Sequence, residues 1–339
     1  MRVLSALTVL SCATAALAKV PKWRKNIDLL LGDVAYINIK STSAFTFWIQ
    51  LVDDKLATQF DNLFKHQDPY TLLYPDNEAW DAHLTGMGAN TTDIESLLTK
   101  EWRGYFSDLY PFFFFRGTLN TTALDDGETL VLESWKRSPV GDWPLMVAFR
   151  REASLEANAT AAEEGTAFPY NGTFYSTPYG SGDVIIPDYE SRGSVAQVVN
   201  YFPTIPKNLS VTVADLNVTG WDDLVKRSPL AAALETSLNY TLLLPPASAI
   251  SSALSGSDDD VTAFVHAHLV SDRVVLSSKE KTFTTQAGAS VTATSLSLIV
   301  GSVNATVTSR DVLTNGIIVQ VIDRALTSSS NSTVSHTEL

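Results

Sequence analysis

The chain has 339 residues, 45% of them hydrophobic, with 24 basic against 37 acidic side chains and a net charge of −13. That length and apolar content suit two globular domains with their own cores and exclude a disordered chain. The acidic balance repels phosphate backbones and argues against nucleic-acid binding.

Residues 1–18 read as a secretory signal peptide: Arg2 is followed by an apolar run to Leu17, and Ala16-Leu17-Ala18 fits a small-x-small cleavage site. Cleavage after Ala18 would remove Arg2 and Cys12, leaving 23 basic and 37 acidic residues, net −14, and no cysteine. Disulfides, cysteine catalysis and zinc–thiolate sites are then excluded, and core burial must supply the stability. Nine Asn-x-Ser/Thr sequons follow, at Asn90, Asn120, Asn158, Asn171, Asn208, Asn217, Asn239, Asn304 and Asn331. Together with the signal they predict a heavily glycosylated protein of the secretory route, with each glycan at a surface position.

Thr42 to Lys65 predicts a helix, with Phe45, Phe47-Trp48, Leu51-Val52, Leu56, Phe60 and Leu63-Phe64 recurring at three- and four-residue steps. Tyr70-Thr71-Leu72-Leu73-Tyr74-Pro75 then reads as a short buried strand ended by proline. Tyr240-Thr241-Leu242-Leu243-Leu244-Pro245 repeats it at a constant offset (240 − 70 = 170), which points to a duplicated module. Asn90 to Glu95 predicts a helix start. Tyr110-Pro111-Phe112-Phe113-Phe114-Phe115 reads as a strand buried on both faces, in preference to an aromatic ligand platform. Residues 151–195 read as an exposed, partly ordered insertion, and Ser194 to Phe202 as a closing strand. Trp221 to Ser237 predicts a helix divided or restarted at Pro229. Asp258-Asp259-Asp260 lack the alternating ligands of a calcium loop and fit helix capping. Strands are predicted at 282–285, 290–298, 302–308 and 316–322.

These segments resemble a fasciclin-type domain. Tyr70 to Trp80 nearly matches that family's first motif, Thr-Leu-Phe-Ala-Pro-Thr-Asn-x-Ala-Phe, with Thr71, Pro75 and Asn77 at motif positions; Thr241 and Pro245 carry it in the second copy. Thr314 to Leu326 resembles the second motif, including Asn315, Gly316 and Asp323, and Asp311 fits the family's strand-end aspartate. His268 falls at the central histidine, with Ala267 in place of the preceding tyrosine. The resemblance implies an α+β fold of two fasciclin-type modules, each a β-sandwich or wedge core with packed helices. The first would be a divergent domain over 27–206, containing the insertion; the second would cover 209–326, with a polar tail at 327–339. It implies tandem modules like those of fungal secretory members.

Asn315-Gly316 reads as a tight turn able to take positive φ, and Asp323 and Asn315 as local hydrogen-bonding groups. His268 lies in an apolar segment and reads as a satisfied core histidine. His266 and His268 would share one side of a strand, but spacing alone places no third metal ligand with them. No hydrolase elbow, phosphate loop or dinucleotide fingerprint occurs. The expectation is a protein that is not an enzyme, with no catalytic, cofactor or metal residues. The resemblance implies an adhesion or interaction role toward a protein or cell-wall glycan. An alternative is an accessory protein to a secreted oxidase of phenolic or pigment biosynthesis, with an apolar pocket built from Trp102, Tyr105, Phe106, Tyr110 and Phe112–Phe115. Neither a transmembrane nor a lipid anchor is expected. The end, His336-Thr337-Glu338-Leu339, resembles a His-Asp-Glu-Leu retention signal, so the vacuole or endoplasmic reticulum stands beside secretion to the cell wall. The dibasic pairs Lys136-Arg137 and Lys226-Arg227 are expected to stay uncut in the fold.

Overall fold

A computed structural model describes residues 69–326, apart from 76, 91–99, 126–127, 139–143, 152–171, 177–179, 192–193, 277–278 and 295. The signal peptide, the helix at 42–65, the helix start after Asn90, the sequons at Asn158, Asn171 and Asn331 and the tail lie outside these residues.

The fold is α+β, with two β-sheet modules and packed helices. In the first, β1 (Tyr70–Pro75), β2 (Phe114–Arg116), β3 (Thr129–Arg137), β4 (Pro144–Arg151), β5 (Gly172–Ser176), β6 (Gly180–Ser191) and β7 (Ser194–Val199) close into a barrel in chain order. Closure pairs β7 with β1 in parallel, with Leu72 opposite Ala196. A closed sheet leaves no unpaired edge. The region read as an insertion therefore contributes two barrel strands, β5 and β6. Its glycines and polar residues mark a hairpin in the wall, where sequence pattern alone suggested an excursion. Helix α1 (Asn77–Gly86) follows β1, and α2 (Lys100–Leu109) leads into β2. The phenylalanine run is buried as expected, but only its end is strand: Tyr110–Phe113 form a 3-10 turn opened by Pro111.

The second module opens with α3 (Leu209–Asp215), α4 (Trp221–Arg227) and α5 (Pro229–Leu234). Ser228 caps α5 by accepting from the Ala231 N–H, and Pro229 takes the first helical turn, where a missing N–H costs nothing. Gly220 caps α4 at φ 89°, where a Cβ would stand 2.9 Å from the Ile250 side chain, so only glycine fits. Strand β8 (Thr241–Leu244) follows, then α6 (Ala247–Leu254) and α7 (Asp258–Ala267). All three acids lie in the first turn of α7, and Asp260 caps it: the Ser257 side chain accepts from the Asp260 N–H, and the Asp260 carboxylate accepts from the Ser257 N–H.

Strands β9 (Leu269–Val270), β10 (Lys281–Thr284), β11 (Ser290–Ala293), β12 (Ser297–Val300), β13 (Val303–Leu313) and β14 (Ile318–Ile322) complete a sheet of order β10-β11-β12-β13-β14-β8-β9. The stretch 290–298, expected as one strand, turns back on itself, because the Thr294 hydroxyl accepts from the Leu296 and Ser297 N–H groups. As in the first module, the last strand runs parallel to the motif strand, with Val319 opposite Leu242.

Strand β4 joins the modules. Its residues 145–150 are all buried because both of its faces are covered. Val147 and Phe149 point into the barrel core, whereas Met146 and Ala148 pack on Leu313 and Ile318 of the second module. A continuous apolar cluster therefore crosses the junction.

Candidate functional site

Each module contains the same buried clasp of threonine, aspartate and glutamine. In the second, the Thr241 hydroxyl donates to the Asp272 carbonyl at 2.7 Å and accepts from the Val274 N–H at 2.7 Å. The Gln320 side-chain amide donates to the Val274 carbonyl and to the Asp311 carboxylate, and its carbonyl accepts from the Asp311 N–H. Asp311 also accepts from the Leu276 N–H at 2.9 Å. In the first, Thr71 bridges the Gly117 carbonyl and the Leu119 N–H, Gln197 bridges the Leu119 carbonyl and Asp188, and Asp188 accepts from the Thr121 N–H. Both aspartates hold positive φ, 52° at Asp188 and 56° at Asp311, where a short polar side chain is tolerated. A third correspondence lies at the strand ends. The Asn200 side chain accepts from the Asp183 N–H, as Asp323 accepts from the Thr306 N–H. One offset relates the later positions (311 − 188 = 320 − 197 = 323 − 200 = 123).

The two clasps differ at one oxygen. Asp188 Oδ2 accepts from the Thr121 hydroxyl within its own module at 2.6 Å. Asp311 Oδ2 instead accepts from Arg150 Nη2 at 2.9 Å and from the Thr129 hydroxyl at 3.2 Å, both of the first module. Arg150 Nε donates to the same threonine at 3.2 Å, and Arg150 and Asp311 are 3% and 1% exposed. A buried ion pair holds only when its remaining donors and acceptors are satisfied, which the threonine and the clasp accomplish here. Arg273–Glu133 and Lys279–Asp125 add solvent-facing bridges across the junction.

The predicted motif residues fall mostly on this scaffold. Thr71 and Thr241 are the clasp hydroxyls. Pro75 ends β1, and Asn77 begins α1; Pro245 follows β8 and is buried. Asp311 is not a strand end but a bulged residue within β13, its backbone turned so that the carboxylate faces inward. Asn315 and Gly316 do not take positive φ. Their turn is held by Thr314, whose hydroxyl accepts from the Gly316 and Ile317 N–H groups. Asp323 forms the expected local bonds, to the Thr306 N–H and to Arg324, whose hydrogen bond holds its carboxyl below the usual range.

His268 is a satisfied core histidine. Its Nδ1–H donates to the Phe264 carbonyl at 2.8 Å, and its Nε2 accepts from the Leu326 N–H at 3.0 Å. Burial pushes its pKa down to about 4, and neutrality is what lets Nε2 accept. His266 sits in α7 and His268 at its C-cap, so the two do not share a strand face. Among the described residues no group of three His, Cys, Asp or Glu is placed to hold a metal ion, and no helix is long and apolar enough to cross a membrane.

One further feature escaped sequence reasoning. His83 stacks on Phe202 with centroids 3.6 Å apart, and its Nε2 is hydrogen-bonded to the Tyr105 hydroxyl at 2.5 Å. Burial lowers the His83 pKa; burial first, then the charge of Asp108, raises that of Tyr105 to about 12. The rings of Phe112–Phe115 are at most 1% exposed, and Trp80 and Phe202 pack edge-on around Phe113, so this aromatic set is core. All six described sequon asparagines, Asn90, Asn120, Asn208, Asn217, Asn239 and Asn304, are exposed.

Residues 217–328 match the family model described as Fasciclin domain. This region is fasciclin-type. The match covers about a third of the chain. Among solved structures, a FAS1 domain pair from the insect cell adhesion molecule fasciclin I is similar at 15% identity and a TM-score of 0.33, over 84% of this chain and 97% of that one. No curated protein matches the chain.

Proposed function

We propose that this chain is a non-enzymatic glycoprotein of the secretory route in which two fasciclin-type modules, the first divergent, work as one adhesion or interaction unit. The observation that carries this reading is the repeated clasp. The first module reproduces the bonding of the fasciclin-type region at every clasp group but one aspartate oxygen, and in both modules the clasp side chains are consumed by structure. The six exposed sequons suit a glycan-bearing surface. Fasciclin-type domains are associated with adhesion and protein interaction, and a surface partner, protein or cell-wall glycan, follows from that association.

The test is recovery of the tagged, glycosylated protein from its own cells, with co-purifying proteins identified by mass spectrometry and wall polysaccharide assayed in parallel. A surface glycoprotein or wall glycan at near-stoichiometric yield is expected. A stoichiometric oxidase would replace this reading with the accessory one.

A further inference from the structure

A cleft of about 470 Å³ lies where the two modules and their connecting segment meet, within the size range that holds small ligands. Lys136 and Arg137 line it from the first module, Pro206 from the connection, and Asn208, Val211 and Asn315 from the second. We propose that this cleft is the seat of the chain's own glycan, carried on Asn208; the proposal rests on the glycoprotein reading above.

Asn208-Leu209-Ser210 is a sequon, and Asn208 is exposed while lining the cleft, so a sugar linked to it starts there. The Asn208 Oδ1 accepts from the Val211 N–H at 3.0 Å and caps α3. That bond fixes the side chain through its oxygen, whereas the sugar is carried by the nitrogen. The cleft also has the two surfaces a pyranose needs. Val211, 41% exposed, and the half-buried Ile205 offer an apolar patch to the ring C–H face. The exposed Arg137 offers donors to hydroxyl and acetamide oxygens, and Lys136, which gives two bonds to Asp108, has one ammonium proton left for them. Lys136 is held in the wall by its bond to Asp108, and the Asn315 N–H donates to the Lys207 carbonyl at 2.8 Å, which ties the connection to the β13–β14 turn. A covalent tether gives the sugar a high effective concentration, so weak contacts suffice to seat it. None of the other described sequon asparagines lines this cleft. A seated glycan touches both modules and braces the junction on its open side.

The experiment is a native-state endoglycosidase time course on the full glycoprotein, read site by site by glycopeptide mass spectrometry. The Asn208 glycan should be present and released about tenfold more slowly than the Asn304 glycan, with the difference abolished by denaturation. Equal release rates, or an empty Asn208 beside occupied sequons, overturn the seat while leaving the glycoprotein reading intact. A chain with no occupied sequon overturns both. Asn208→Asp keeps a capping oxygen and removes the glycan. Hydrogen exchange at Lys136–Arg137 and at Asn315 should then accelerate severalfold, and unchanged exchange in that variant overturns the bracing role.

Discussion

The two clasps share one design and end differently. In the first module the aspartate's last oxygen is closed by Thr121, two positions after Leu119, which Thr71 holds, so the module satisfies itself. In the second, the same oxygen of Asp311 is left for Arg150, and the module is complete only when the other is seated on it. The difference shows how one clasp, closed by an internal hydrogen bond in one module, can serve as a domain junction in the other. The apolar contact of Met146 and Ala148 with Leu313 and Ile318 crosses the same junction, where the ion pair is itself buried.

The largest effect should come from Arg150→Met, which leaves Asp311 buried without its counter-charge. A loss of about 3–5 kcal/mol in urea unfolding is expected. The matched change in the first module, Thr121→Val, removes a neutral donor and should cost about 1–3 kcal/mol. Equal costs would break the comparison.

Acid sharpens it further. His268 has a folded pKa of about 4 against an ordinary value of 6.5. Between those values the unfolded chain takes a proton that the folded chain refuses. Stability is therefore full above pH 6.5 and falls as pH drops toward 4, by on the order of 3 kcal/mol from this group. His83 is shifted in the same direction by burial, but it is only half-buried, so the first module should respond less. His268→Gln should flatten most of the slope between pH 6.5 and 4 in denaturant titrations; an undiminished slope would place the acid sensitivity elsewhere. The smallest effect is expected for Ser257→Ala at the α7 capping box, about 1 kcal/mol in thermal unfolding and confined to the second module.

Much of this was legible in the chain. The Tyr-Thr-Leu-Leu repeat located both motif strands, because a short apolar strand ended by proline has few alternatives. Pro229 and Ser257 announced their helix starts through the same local chemistry that the structure displays. The barrel strands β5 and β6 were not legible, since their glycine-rich hairpin lacks the alternation that marks a half-buried strand. The partners of Asp311 were missed for another reason. Gln320 and Gln197 sit in apolar strands where pattern reading looks for hydrophobic residues, and Arg150 is 161 residues from Asp311. A signal was present: aspartate, then glutamine nine residues on, then Asn or Asp three further, occurs at both 188 and 311. The run Leu145–Phe149 likewise signalled a strand covered on both faces, without naming the second cover.

The most direct test is a double-mutant cycle between Arg150 and Asp311, with Arg150→Met, Asp311→Asn and the pair compared by equilibrium unfolding. A coupling energy of roughly 2 kcal/mol or more, with the double variant more stable than the Arg150→Met single, is what a module junction built on this ion pair requires. Additivity within about 0.5 kcal/mol would mean that the two modules do not depend on each other through Asp311.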